Sequence, residues 1–175
     1  MKRVLFVLGQ LSDTDIEWMI NNGTKQILHQ GDYLVQEGEM IEDIHIVLAG
    51  GFRIFNTATP EMSIAHIDSG ELVGEMTFLD ERPPSVSVIA TEESSVYSIS
   101  LEKMKRYMEV DTRFAARFYY SIALFLSDRL RKTTGRLGYG AIEEDEIDEI
   151  NINVLQNVGQ AGARFSRILH KFSES

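Results

Sequence analysis

Residues 70–88 read GELVGEMTFLDERPPSVSV, and the parsing of this stretch decides the fold. It reads as a glycine-rich turn at Gly70 and Gly74, one short apolar turn of helix, and a stiff corner at Pro83 and Pro84 that runs into a strand. Glycine has no Cβ, so its backbone N–H groups can approach a ligand closely, and N–H groups at a helix start favour an anion. Glu75 follows Gly74 directly, which sets a carboxylate at the mouth of the turn. A carboxylate beside such a turn suits a ligand that carries both a phosphate and a hydroxyl. The same residues also fit a β-turn, a buried half-helix and a loop with no ligand, so the flanking chain has to decide.

From residue 25 to residue 100, short apolar runs alternate with turn-forming residues. Strands are expected over 26–29, 33–37, 44–48, 52–56, 63–67, 86–91 and 95–99. The breaks are Gln30-Gly31-Asp32, Glu37-Gly38-Glu39, Ala49-Gly50-Gly51, residues 56–60 and Asp68-Ser69-Gly70. Strands at such regular spacing predict an antiparallel sandwich or barrel, a mainly β fold with flanking helices. Ile44, Ile46 and Leu48 alternate with His45 and Val47, as in a half-buried strand, and the two glycines at 50 and 51 suggest a tight hairpin. Ahead of the strands, Ser12 is an N-cap, with Asp13 and Asp15 in the first turn of a helix. Ile16, Met19 and Ile20 recur at helical spacing until Asn22-Gly23.

The run GDYLVQEGEMIEDIHIVLAGGFRIF at 31–55, followed by GELVGEMTFLDERPPSVSVIA at 70–90, resembles the cyclic nucleotide-binding domain. This is the β-roll of the catabolite activator protein, of protein kinase A regulatory subunits and of cyclic-nucleotide-gated channels. The signature is the spacing of Gly31, Gly38, Gly50 and Gly70 with the Gly74-Glu75 pair, and the resemblance covers residues 5–136. It implies an antiparallel, jelly-roll-like β-roll followed by a long C-terminal helix, with cAMP or cGMP as the ligand. Glu75 would accept a hydrogen bond from the ribose 2′-hydroxyl, and the backbone at Gly74, Glu75 and Met76 would line the ribose-phosphate. The family cassette ends in Pro-Arg-Ala-Ala or Pro-Arg-Ser-Ala, and its arginine pairs with the cyclic phosphate. Here that arginine position is Pro84, which brings neither a cation nor a donor. Ser85 matches the next family position, with Val86 beside it. Arg82 is the nearest substitute cation, or else a solvated loop residue next to Asp80 and Glu81. The expected ligand-binding set is therefore Gly74, Glu75, Met76, Arg82, Ser85 and Val86.

After the roll, a short helix is expected over 101–108 and a longer one over 112–133, with Asp111 as cap and Gly135 and Gly138 as the stop. Phe114, Phe118, Ile122, Phe125 and Leu126 form one stripe, which Tyr119, Ala123 and Leu130 widen. In the family this long helix pairs with its twin in the bacterial dimers, so a homodimer through 112–133 is expected; packing within one subunit is the alternative. Arg129, Arg131, Lys132 and Arg136 suit the helix end. Residues 137–150 are acidic and read as a solvated linker, because they lack the glycine turn and ligand spacing of a Ca²⁺ loop. In 151–175, Phe165, Ile168, Leu169 and Phe172 make a small amphipathic helix that folds back, pairs across a dimer or docks on a partner.

The chain has 175 residues, no cysteine and a formal net charge of −10. Disulfide and thiolate chemistry are excluded, and a negative protein is ill suited to covering nucleic-acid phosphates. The basic-then-apolar opening MKRVLFVLG is too short for a signal peptide and lacks a small-residue cleavage site, and no run is long enough to span a membrane. A cytoplasmic protein is expected. His29, His45, His66 and His170 are scattered, with no HExxH, GxSxG or phosphate-loop motif, so no catalytic or metal site is expected. The residues after the roll are too few for the winged helix-turn-helix of bacterial regulators, so duplex DNA is not an expected partner. Three functions follow: a stand-alone regulatory module that signals to another protein, a ligand-free scaffold, and a transcription-regulator component that borrows its DNA-binding part.

Overall fold

The structure, a computed structural model, describes residues 8–136, 159, 162–168 and 170. They form two compact units: residues 17–110, and a second unit drawn from both flanks, residues 8–16 with 111 onward. The leading segment 1–7, the acidic run 137–150 and the side chains of Leu169 and Phe172 lie outside the described residues.

Helix α1 (Asp13–Asn22) precedes strands β1 (Gly23–Leu28), β2 (Tyr33–Val35), β3 (Asp43–Ala49), β4 (Gly51–Phe55), β5 (Ser63–Asp68) and β6 (Leu72–Val73). Helix α2 (Glu75–Asp80), strands β7 (Ser87–Ala90) and β8 (Ser94–Ser100), and helices α3 (Leu101–Val110) and α4 (Thr112–Arg136) follow. Two four-stranded sheets have the orders β1-β8-β3-β6 and β2-β7-β4-β5, and their pairings are antiparallel. The β-roll expected from the sequence is present. Val47, Phe52, Ile54, Ile67, Val88 and Val96, drawn from both sheets, are 0–5% exposed and form one apolar cluster. Each such side chain contributes about 1.5–3 kcal/mol on burial.

Two strand readings need correction. Gly50 is not the tip of a hairpin, because β3 and β4 lie in different sheets. It is a corner with φ 81°, and a Cβ there would stand 2.2 Å from Ser94 Oγ. That hydroxyl accepts from the Gly51 N–H at 3.2 Å and donates to the Gly51 carbonyl at 3.3 Å, so the corner is pinned where β8 begins. Nor is β3 half-buried: every residue from Ile44 to Leu48 is buried, on both faces of this strand, which lies inside its sheet between β8 and β6. The two-residue strand β6 falls in the stretch read as a plain turn; its pairing of Val73 with His45 seats the Gly74 turn against β3.

Within this unit Trp18 stacks on Tyr107 at 4.2 Å between ring centroids, and the Tyr97 hydroxyl donates to the Met19 carbonyl. Helix α1 ends at Asn22-Gly23 as the sequence suggests, and Gly23 begins β1, where a Cβ would overlap the Tyr97 ring at 2.2 Å.

In the flanking unit the Ser12 cap is reciprocal. Ser12 Oγ accepts from the Asp15 N–H at 3.2 Å, and Asp15 Oδ2 accepts from the Ser12 N–H at 2.6 Å. Asp111 caps α4, accepting at Oδ1 from the N–H groups of Arg113 and Phe114 at 3.0 and 2.9 Å. Helix α4 runs on through Gly135, which therefore does not stop it; one glycine costs about 1 kcal/mol against a ladder already formed. Phe114, Phe118, Ile122 and Phe125 are 0–1% exposed within a single chain. That stripe is already covered and supplies no apolar ground for a dimer; Tyr119, Ala123 and Leu130 face outward instead. Residues 162–168 are helical and anchored on their own chain: Arg164 donates from Nε to Asp13 Oδ1 and from Nη1 to the Leu8 carbonyl, both at 2.9 Å. Phe165 and Ile168 are buried there.

Candidate functional site

The Gly74 turn is built by its neighbours. Gly74 has φ 97°, and a Cβ would meet Ile41 Cδ1 at 2.9 Å and the Asp43 carbonyl at 3.0 Å. Only glycine takes this conformation in this space. The turn opens α2, whose first bond runs from the Phe78 N–H to the Gly74 carbonyl at 3.0 Å. Helix α2 stops at Glu81, a non-glycine residue with φ 56°, whose N–H donates to the Thr77 carbonyl at 2.9 Å. Thr77 Oγ1 donates to the Arg82 carbonyl at 2.9 Å, the Arg82 N–H donates to Asp80 Oδ1 at 3.1 Å, and Lys105 pairs with the Glu81 carboxylate. The corner before Pro83 is thereby fixed from both sides.

The expected site residues are distributed unevenly around this frame. Gly74 and Glu75 sit together at the start of α2. Glu75 is 3% exposed, so its carboxylate lies inside the fold and not at the mouth of the turn. Met76 is 59% exposed and points away from the buried carboxylate's environment. Arg82 and Ser85 are exposed, and neither the Arg82 guanidinium nor the Ser85 hydroxyl bonds to another side chain among the described residues. Val86 is half-buried against the roll's apolar cluster. At the family's arginine position, the Pro84 carbonyl accepts from the Gly38 N–H at 2.8 Å, and the Glu37 N–H donates to Ser87 Oγ at 3.0 Å. The two glycine turns, at 38 and at 74, thus converge on the cassette through backbone bonds, with no cation held at Pro84.

A pocket of about 320 Å³ opens beside this turn. Asp43 and His45 lie on the face of β3 that also carries the core residue Val47, and both line the pocket with Gln26 of β1, Tyr33 of β2, and Glu39 and Glu42 from the connection between β2 and β3. Ile41 and Asp43 are the residues against which Gly74 packs, so this wall backs onto the cassette. His45 is 5% exposed and shares a hydrogen bond between Nδ1 and Ser98 Oγ at 2.8 Å, across the register that pairs the two residues. Burial pulls its imidazole down to about 4. Burial and the neighbouring Glu42 charge push the Asp43 carboxyl up, partly offset by Lys103. Sequence reasoning missed this pocket; the available signal was a polar pair, Asp43 and His45, at inward positions of a strand whose other inward residue is apolar.

The His45 environment makes a testable statement about acid. Its folded value lies below the ordinary histidine value, so the unfolded chain binds the extra proton first, and stability present above about pH 6.5 is lost as pH falls toward 4. Between pH 7 and pH 5 the loss is about 2 kcal/mol, read as a drop in the urea midpoint of the 17–110 unit. His45→Gln is expected to flatten that dependence. An unchanged slope in the variant would assign the acid sensitivity elsewhere.

Among the described residues no group of three or more His, Asp or Glu side chains is arranged to hold a metal ion, and no helix is long and apolar enough to cross a membrane.

Comparison with known proteins agrees with this architecture. Residues 25–111, just under half of the chain, match the model of the cyclic nucleotide-binding domain. The chain is 26% identical over 136 residues to the Cyclic AMP receptor protein of Thermus thermophilus, covering 77% of this chain and 61% of that one. It is 27% identical over 111 residues to the cAMP-activated global transcriptional regulator Vfr of Pseudomonas aeruginosa, covering 60% and 50% respectively. The chain therefore spans only about half to three-fifths of the length of these relatives. In three dimensions it resembles a cyclic nucleotide-binding domain from Methylobacillus flagellatus, with a TM-score of 0.70, 16% identity, and coverage of 81% of this chain and 85% of that chain.

Proposed function

We propose that this chain is a regulatory module that takes a cyclic nucleotide, or a related anion, weakly, and passes its state to another protein by contact and not by catalysis. The observation that carries this reading is Pro84. The family arginine position holds a residue without a side-chain donor, its carbonyl tied to Gly38, while Gly74, Glu75 and the surrounding roll are kept. A charge-assisted bond to the cyclic phosphate is worth about 1.5–3 kcal/mol, so its loss weakens binding roughly tenfold to somewhat over a hundredfold. Backbone N–H groups, Ser85 and the unengaged Arg82 are left to meet the phosphate. Cytoplasmic placement and the division into a module over 1–136, a linker over 137–150 and a tail over 151–175 belong to this proposal, as does a homodimer through the outward Tyr119, Ala123 and Leu130 face of α4. With a net charge of −10, duplex DNA is not a proposed partner.

Calorimetric titration with cAMP, cGMP and cyclic dinucleotides tests the reading. The native protein is expected to bind in the high-micromolar to millimolar range, and Pro84→Arg to tighten binding by up to about 3 kcal/mol. Arg82→Ala should weaken native binding if that guanidinium substitutes for the missing arginine. A folded Pro84→Arg variant that still binds no cyclic nucleotide would exclude the cassette as a nucleotide site. The scaffold reading would then stand, favoured by the filling of the roll interior with Val47, Phe52, Ile54, Ile67 and Val88.

A further inference from the structure

We propose that residues 162–168 are an exchangeable strap over a helix-docking seat built by Leu8, Gly9 and Asp13, and that the seat also takes this segment from a second copy of the chain, whose Arg164 then completes it. The inference concerns the flanking unit alone and does not rest on the cassette. The chemistry of the seat is shown by its resident. Arg164 is 8% exposed; it donates from Nε to Asp13 Oδ1 at 2.9 Å, and from Nη1 to the Leu8 carbonyl at 2.9 Å and the Gly9 carbonyl at 3.4 Å. Leu8 and Gly9 belong to a helical turn that ends at Gln10. Carbonyls at a helix end lack the N–H groups of a following turn, and a cation complements them. Phe165 and Ile168 are buried at 5% and 0%, whereas Ala163, Ser166 and Arg167 are exposed. The docking face of the segment is thus one guanidinium and two apolar side chains.

The ion pair that anchors the strap is open on one side. The Asp13 side chain is 71% exposed, so water and salt weaken its hold on Arg164. Nor does the covalent connection favour one seat over another. Arg117 binds Asp15, which sets the second turn of α4 at the start of α1, beside the seat. Helix α4 then continues for 19 residues to Arg136, about 28 Å at the usual rise per residue. Residues 137–161 join Arg136 to the strap, 25 residues with a fully extended reach of about 80–90 Å. That length returns the strap to its own seat with chain to spare, and carries it equally well to a neighbour's. Exchange of an identical segment creates no new contact and leaves none unmade. Occupancy is then decided by protein concentration against the effective concentration of the tether, on the order of millimolar. The apolar stripe of α4 is covered within one chain, whereas the strap offers a second copy a face that its seat already fits.

The test uses a fluorescein-labelled peptide of residues 159–175, which stands for the segment of a second copy, read by anisotropy. Arg164→Ala/Ile168→Ala in the full chain vacates the seat, and this variant is expected to bind the peptide at least tenfold more tightly than the native chain, whose own strap competes. An Arg164→Lys peptide keeps the charge but cannot reach a carboxylate and two carbonyls together, so it should bind at least fivefold more weakly. Equal binding by the two peptides, or by the two chains, would reduce the effect to attraction of a basic peptide by an acidic protein and overturn the proposal. The native chain gives a readout that needs no variant to fold. In the isotope-labelled chain, millimolar unlabelled peptide should shift the Phe165 and Ile168 amide signals as the resident strap is released. The Asp13 amide should stay nearly in place, because an identical segment takes over. Unmoved Phe165 and Ile168 signals would overturn the proposal. Exchange between whole chains is followed with dyes on Ser166→Cys, an exposed position in a chain without cysteine. Mixed donor and acceptor chains at several hundred micromolar should transfer energy, and excess peptide should abolish the transfer. No transfer would confine the strap to its own chain, and transfer untouched by peptide would place the copies on another face; either result overturns the proposal.

Discussion

Phe118→Ala is expected to cost about 3–5 kcal/mol of folding stability, enough to unfold the flanking unit at moderate temperature. Phe118 is 1% exposed, and its ring stacks on Phe114 at 5.7 Å between centroids, with Ile122 and Phe125 equally buried along the same side of α4. Truncation removes the transfer energy of a whole aromatic ring and leaves a cavity that a helix fixed by the Asp111 cap cannot close. Phe118→Glu should be worse, because a carboxylate there would have to be buried without a partner. Circular dichroism would show helix lost together with the thermal midpoint. The outcome also separates two uses of the helix. If Phe118→Glu gave a folded monomer from a native dimer in light scattering, the stripe would be an intersubunit surface after all, and its burial within one chain would be incidental.

Asp15→Ala is expected to cost about 3 kcal/mol. The Asp15 carboxylate is 1% exposed and takes two bonds from Arg117, Nε to Oδ2 at 2.7 Å and Nη2 to Oδ1 at 2.8 Å, besides the Ser12 N–H. It thus joins the start of α1 to the second turn of α4, two segments about a hundred residues apart. Removing it takes two bonds from a guanidinium that is two-thirds buried and opens the reciprocal cap. Burial raises the Asp15 carboxyl, but the bonds from Arg117 and Ser12 outweigh burial and hold it below the usual carboxylate range. A depressed folded value means stability that is present above about pH 4 and lost as pH falls below it, a window lower than that of His45. In a double-mutant cycle with Arg117→Ala the losses should fall well short of additive, since each single change removes the same two bonds. Additive losses would show that the two side chains are not coupled.

The sequence made the roll legible because its turns are written in residues with one conformational meaning. Gly31, Gly38, Gly50, Gly70 and Gly74 all take positive φ, and all fall in the connections between elements, where the spacing put them. What could not be read is which sheet a strand joins. Gly50-Gly51 carries the local chemistry of a hairpin, and only the Ser94 hydroxyl, more than forty residues away, turns it into a corner. β6 is too short for any periodicity to register. In the site, Gly74 and Glu75 were found from their spacing, but that Glu75 is buried depends on tertiary packing, which no local pattern encodes. The apolar stripe of α4 was plain in the sequence; that its own chain covers it depends on contacts distant in sequence.

The register that pairs Gly23 with Ile99 has a consequence for how the roll comes to be folded. Those partners are 76 positions apart by their numbers, whereas β4 and β5 pair across a short turn in one sheet. Closing the long loop costs chain entropy before any reward arrives, so folding belongs in the millisecond-to-second range typical of non-local β topologies. On the ribosome the effect is sharper. β8 sits between β1 and β3, so until Ser100 has emerged both neighbours present open edges, and β3, with Ile44, Ile46 and Leu48 along one face, has nothing to pair with on that side. A chain stalled before residue 94 would expose a sticky, unpaired strand, which makes β8 the segment whose arrival converts an aggregation-prone nascent chain into a closed roll.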